Sequence, residues 1–318
     1  MQKTYKKLRP WQGILLIIIT SLIIFFVGPY LSMAAGLYGT LASEGLMLGM
    51  ALLVVLLAKA DFAEVFPIKK PSVAGIGGTV LLWFGAFMAI MIVDLVIMAF
   101  FPEGMGATNQ GLNQAFSSIP FQAAFLIVAV SPAVCEEAVF RGVVVSSFKP
   151  AKNKWVIIVV SGLIFGAMHG DIFRLFPTAV LGMVMAYLVL ETDNMIYNGL
   201  FHCINNALPL VISFAMKDVY ANMDTSTAFE GSQIWMSVGL YTIMGAVIPF
   251  AIYIGNYLIH YKKPGYRTTL FPEGKHWIIG VLIIASIAFV VIGFAIMVIA
   301  MMQQPDLMNQ MNEIMQQV

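Results

Sequence analysis

What this 318-residue sequence has least of is charge. Only 10% of its residues are Asp, Glu, Lys or Arg, where a soluble domain carries about 25%, so it lacks the ionic surface to cover a water-facing globule. Hydrophobic residues make up 60% of the chain, and the mean hydropathy is +0.89. Helices that present apolar side chains all round need a bilayer as their solvent. A strongly basic or acidic partner surface is excluded by a formal net charge of +1, and no basic run interleaved with aromatics points to nucleic acid. Cysteine is scarce as well. Cys135 and Cys203 both fall inside apolar stretches, lack the spacing of a metal knuckle, and read as core packing.

What is present is a succession of apolar runs. Crossing the hydrocarbon takes about 20 largely apolar residues, and nine candidates lie near 12–35, 41–58, 73–101, 119–147, 155–170, 175–190, 195–216, 233–260 and 277–302. These predict an all-α polytopic transmembrane bundle of eight to nine spans, forming one membrane domain over residues 1–318. Lys3, Lys6, Lys7 and Arg9 precede the first run in the manner of a signal peptide. That run continues from Gly13 to Met33, too long for a signal core and without a small-residue cleavage site, so it reads as a retained span. Basic residues then recur in every second loop: Lys59, Lys69 and Lys70; Lys149, Lys152 and Lys154; Lys262, Lys263, Arg267 and Lys275. Loop 102–118 and tail 303–318 have no Lys or Arg, and loop 217–232 has only Lys217. Because basic loops stay on the cytoplasmic side, the N-terminus is expected inside, the C-terminus outside, and the chain in the cell membrane. The connection Glu191–Asn194 carries no positive charge, and parity alone places it inside. No internal repeat is evident, and the Met- and Gln-rich tail reads as a polar extension.

A charged side chain near the bilayer centre costs about 2.5–3.5 kcal/mol on insertion scales and is expected to pair or to function. The fourth run holds three: Glu136, Glu137 and Arg141 within Ser131-Pro-Ala-Val-Cys-Glu-Glu-Ala-Val-Phe-Arg-Gly142. Residues four apart share a helix face, so Glu137 pairs with Arg141. Glu136, rotated by about 100°, is left without a local counter-ion and becomes the candidate general base. The fifth run places Phe165 and His169 on one face, and the seventh places His202 and Asn206 on one face with Asn205 nearby. At about 1.5 Å rise per residue, Glu136, His169 and His202 lie about 18, 21 and 12 Å from the expected cytoplasmic ends of their helices. All three depths fall within a core roughly 30 Å thick. Such a set supports hydrolysis: Glu136 takes a proton from water, His169 orients that water or helps hold a metal, and His202 and Asn206 donate to an oxyanion.

These residues resemble the CPBP family, the membrane proteases related to type II CAAX prenyl endopeptidases and to bacterial Abi proteins. Glu136-Glu137-x-x-x-Arg141 is similar to the family's first motif, Phe165-x-x-x-His169 to its second and His202-x-x-x-Asn206 to its third. Order and spacing agree over residues 119–216, the expected catalytic core. Each motif alone is a short pattern that recurs by chance, whereas three in register in a polytopic chain are specific. The resemblance implies an intramembrane endopeptidase in which Glu136 and His169 activate water while His202 and Asn206 stabilise the tetrahedral intermediate. Glu137, Arg141 and Phe165 would be structural or orienting. Implied substrates are membrane-associated peptides, including prenylated C-termini in some members; bacterial members also act in bacteriocin immunity or peptide processing.

Two mechanisms stay open on sequence. The chain lacks His-Glu-x-x-His, whose histidines lie one helical turn apart, so a zinc ion would need ligands from three helices, such as Glu136, His169 and His202. A metal-free water activated by glutamate suits the same residues. Rival readings are a buried ion-pair cluster that only fixes packing, a non-proteolytic scaffold or bacteriocin-immunity protein, and a transporter, the last opposed by the missing inverted repeat. Asn206 read blandly is interhelical glue. Outside the motifs, Glu44 and Asp94 read either as lining a pathway or, in preference, as water-facing or helix-end residues, and His260 and His276 as interfacial, while Pro132 is expected to kink or loosen its helix beside the acidic pair.

Overall fold

The computed structural model describes residues 5–151, 153–217, 231–261 and 263–303. Lys3, Lys152 and Lys262 of the charge pattern, and the tail from 304 onward, lie outside the described residues. Among these residues the chain is helical, with one isolated bridge between Lys6 and Ala60 and no sheet. Seven helices are long and apolar enough to cross a membrane: α1 (Pro10–Ala35), α2 (Leu37–Ala58), α3 (Val73–Phe100), α5 (Phe121–Phe148), α7 (Ile172–Thr192), α9 (Ser232–Ile259) and α10 (Trp277–Met302). The chain is thus a multi-pass membrane protein.

The two remaining predicted spans depart from that description, each for a physical reason. Helix α6 (Lys154–Ala167) has only 14 residues, a rise of about 21 Å. Helix α8 (Met195–Ala215) has 21 residues, but Asn198, His202, Asn205 and Asn206 make it too polar to count as a span by composition. It is instead sheltered by its neighbours, packing on α3, α5 and α7. A further departure is the stretch predicted as loop 102–118, which forms helix α4 (Pro102–Ser117). Met105 and Phe116 are its buried residues; Thr108 Oγ1 donates to Asp171 Oδ2 at 2.8 Å.

Most of the core gathers around α5. It packs on α1, α2 and α8, and its residues Ala138, Val139, Phe140 and Val143 join Leu16, Met47, Phe165 and Phe201 in one buried cluster. Helices α6 and α7 form a close hairpin through glycine. A Cβ on Gly182 would come within 3.0 Å of the Gly162 Cα, and one on Gly166 within 2.4 Å of the Leu175 carbonyl oxygen. The turn between them passes through Gly170 at φ +66°, a left-handed conformation glycine adopts without steric cost. Asp171 then caps α7, accepting from the Phe173 N–H at 2.8 Å. His169 therefore stands at the tip of a rigid hairpin.

Candidate active site

Helix α5 is not a regular α-helix. π-helical turns occupy Leu126–Val130 and Ala138–Val144, on either side of the acidic pair; such turns recur at functional sites. Pro132 has no N–H to give the carbonyl of Val128 four residues before it, and Asn206 Nδ2 on α8 donates to that carbonyl at 3.0 Å. The expected loosening at Pro132 is thus used to fasten α8. Asn206 Oδ1 accepts from Asn205 Nδ2 at 3.3 Å, which leaves the second Asn206 amide N–H for other work.

Glu137 is the hub. Its Oε1 accepts from Arg141 Nη1 at 2.8 Å and lies 2.8 Å from His202 Nδ1. Glu137 and Arg141 are each 1% exposed, so the cation depends on protein partners, and only its Nε lacks one. Its Nη2 donates to the Gly182 carbonyl at 3.3 Å, and its guanidinium carbon stands 4.2 Å from the centre of the Phe165 ring, a favourable cation–π position. Phe165 is the spacer of the site. Its ring meets those of Phe140 and His169 at 5.0 Å and that of His202 at 5.8 Å, all edge-on.

Glu136 stands apart from this ion pair. The nearest cation-forming group is His202 Nε2, 3.8 Å from Glu136 Oε2, and that oxygen is buried without a hydrogen-bond partner. A carboxylate acceptor kept free in this way is available to a proton donor such as water. His169 Nδ1 lies 2.9 Å from the Phe165 carbonyl oxygen. A carbonyl only accepts, so Nδ1 carries the proton and the neutral ring keeps Nε2 as an acceptor. Glu136, His169, Phe140 and Met168 line one cavity of about 330 Å³ with Ile24, Gly28, Pro29, Ser32, Thr40, Ser43, Glu44 and Met47 of α1 and α2.

Two expectations outside the motifs are corrected. Glu44 is neither water-facing nor at a helix end: it sits within α2, 4% exposed, and its side chain meets that of Glu136. Asp94 lies within α3 with a buried, unpartnered Oδ1. His260, at the end of α9 beside the basic loop, is 4% exposed, with Nε2 2.8 Å from Glu191 Oε2. A carboxylate midway along an apolar run was the available signal for Glu44 and Asp94. Arg174, in the first turn of α7, interacts electrostatically with Glu136, Asp171 and Asp94, and the motif pattern gives no sign of it. Cys135 is buried and Cys203 half-buried; both are free thiols.

Among the described residues, no group of three His, Cys, Asp or Glu side chains is arranged to hold a metal ion. Glu136 and His202 stand 3.8 Å apart through Oε2 and Nε2, with His202 Nδ1 turned to Glu137, a span that two donors of one zinc ion can bridge, but among the described residues no third donor completes the set.

Residues 118–208 match the family model described as type II CAAX prenyl endopeptidase Rce1-like. The match contains all three motifs and places this segment in the CPBP family of membrane proteins. No curated protein and no solved structure matches the chain.

Proposed function

From the type II CAAX prenyl endopeptidase-like segment at residues 118–208, we propose that the chain is an intramembrane endopeptidase that hydrolyses membrane-associated or lipid-modified peptides. The observation that carries this reading is the separation of the two acids. Glu137 is bound by Arg141 and His202, while Glu136, one residue earlier, keeps a buried oxygen free beside His169 in the shared cavity.

Glu136, positioned with His169 Nε2, takes a proton from water as the hydroxide oxygen bonds to the peptide carbonyl carbon. The carbonyl π electrons move to oxygen, and the resulting oxyanion accepts from His202 Nε2–H and the free Asn206 N–H. Donation from both His202 nitrogens, Nδ1 to Glu137 and Nε2 to the oxyanion, uses the imidazolium form of the ring. The proton on Glu136 passes to the leaving nitrogen as the carbon–nitrogen bond breaks, giving a carboxylic acid and an amine. Because the three-ligand arrangement is not formed, no step is assigned to a metal. The positively charged loops support a cytoplasmic N-terminus and an outward C-terminus.

The test is cleavage of a fluorogenic membrane-peptide library by the purified chain, compared with Glu136→Ala. Cleavage lost in the variant is the expected result. Cleavage retained in the variant overturns Glu136 as base, and no cleavage by either protein favours the scaffold or immunity reading.

A further inference from the structure

The cavity that contains Glu136 has a polar wall that the reaction does not use. Pro29 and Ser32 are exposed, while Glu44, Met47 and Phe140 are buried, so the cavity runs from an open mouth to a closed inner end. That end is acidic. The Glu44 and Glu136 side chains meet each other there, Oε2 of each is buried with no other hydrogen-bond partner, and no Lys or Arg lines the cavity. The neighbouring donors are already engaged: Ser43 Oγ donates to the Gly39 carbonyl, His169 Nδ1 faces the Phe165 carbonyl, and Arg141 is held by Glu137 and Gly182. Arg174 acts on Glu136 only at a distance, and on Asp94 and Asp171 as well.

A buried carboxylate without a counter-ion is costly in a membrane. A neutral N–H would satisfy one lone pair and leave the charge, whereas an ammonium or guanidinium satisfies both. We propose that Glu44 is a substrate-binding residue that accepts the side chain of a lysine or arginine next to the scissile bond, with Glu136 left to act on water. This rests on the endopeptidase reading and adds to it a substrate class, membrane-associated peptides with a basic residue beside the cleaved bond. The volume of about 330 Å³ is at the small end of ligand sites, roughly 300–1,000 Å³, enough for one long side chain with its adjoining backbone.

The test uses the full chain in lipid nanodiscs and peptides that differ at one position on either side of the cleaved bond: Lys, Arg, Gln or norleucine. Lys and Arg should exceed norleucine by at least about tenfold in kcat/KM, through KM, the scale of one charge-assisted hydrogen bond. In Glu44→Gln the ratio should fall to within about twofold, and Glu44→Asp should retain part of it, which guards against a folding defect in the first variant. Equal kcat/KM for all four peptides, or an unchanged ratio in Glu44→Gln, overturns the proposal and assigns Glu44 to a proton held against Glu136. Equilibrium binding of the same peptides by fluorescence anisotropy keeps the two readings apart. Tighter, Glu44-dependent binding of the lysine peptide without cleavage supports the cation site and removes hydrolysis; cleavage with equal binding removes the cation site and leaves hydrolysis standing.

Discussion

Replacing Arg141 by Met would take the cation out of a site that has no water to substitute for it. Arg141 and Glu137 are each 1% exposed, and Glu137 Oε2 already lacks a partner, so the variant leaves a carboxylate held by His202 alone. Removing one member of a buried pair typically costs about 3–5 kcal/mol, most of it the uncompensated charge. The double variant Glu137→Leu/Arg141→Met removes both charges and should return to within about 1 kcal/mol of the parent, because apolar replacement of a buried pair is often neutral or stabilising. Activity should not follow stability. His202 Nδ1 loses the carboxylate 2.8 Å away, and loss of a residue that orients a site histidine costs about 10- to 100-fold. Reversible unfolding in mixed micelles titrated with SDS gives the first quantity, and peptide cleavage by the same samples gives the second. A single variant that loses less than about 1 kcal/mol, a double variant as unstable as the single, or a double variant with parental cleavage would each refute the assignment of Glu137 as the shared support of Arg141 and His202.

Glu136→Gln should lower cleavage by about 10²–10⁴ with little loss of unfolding free energy, since Glu136 Oε2 accepts no hydrogen bond and its nearest cation-forming group stands 3.8 Å away; marked destabilisation would show that Glu136 supports the fold. Treatment with 1,10-phenanthroline should leave the cleavage rate unchanged, and loss restored by zinc would refute the metal-free pathway. Asn206→Ala exposes the Val128 carbonyl without its donor, at about 1–3 kcal/mol. Adding Pro132→Ala supplies a backbone N–H and should recover that stability but not cleavage, read by the same two assays. Gly182→Ala brings a Cβ within 3.0 Å of the Gly162 Cα and 3.1 Å of the Phe165 Cβ; the hairpin must widen, with a loss of about 1–3 kcal/mol measurable as an earlier unfolding midpoint.

Much of this arrangement is legible in one sequence because the membrane makes polarity conspicuous. Glu136, Glu137, Arg141, His169, His202 and Asn206 interrupt apolar runs, and helical spacing alone pairs Glu137 with Arg141. The link from Glu137 to His202 is not legible, since it crosses 65 positions of chain and depends on how α5 and α8 pack. Helix α4 escapes a hydropathy reading because Asn, Gln and Gly carry it between apolar neighbours, and its anchor to Asp171 is tertiary. Of the two runs by which nine exceeds seven, α6 is too short, and α8 falls short for the same reason that the site exists: it carries His202 and the asparagines. Glu44 was visible as a mid-span acid, but its approach to Glu136 needs α2 against α5, which no local pattern records.

The shortness of α6 has a consequence for what must surround its end. Starting from Lys154 and Trp155, both suited to the interface, a rise of about 21 Å ends inside a hydrocarbon layer roughly 30 Å thick. The chain reverses there, at Gly170, without helical hydrogen bonding for every backbone group. Lipid cannot satisfy such groups, and irregular backbone at that depth persists only against protein or water. Gly170 is exposed and His169 beside it is half-buried. Protein covers the rest of the turn: the His169 and Gly170 N–H groups donate to the Gly166 and Ala167 carbonyls, the Phe25 ring lies against Gly170, and Thr108 of α4 donates to Asp171, so a helix as short as α6 stands only beside the cover of α1 and α4.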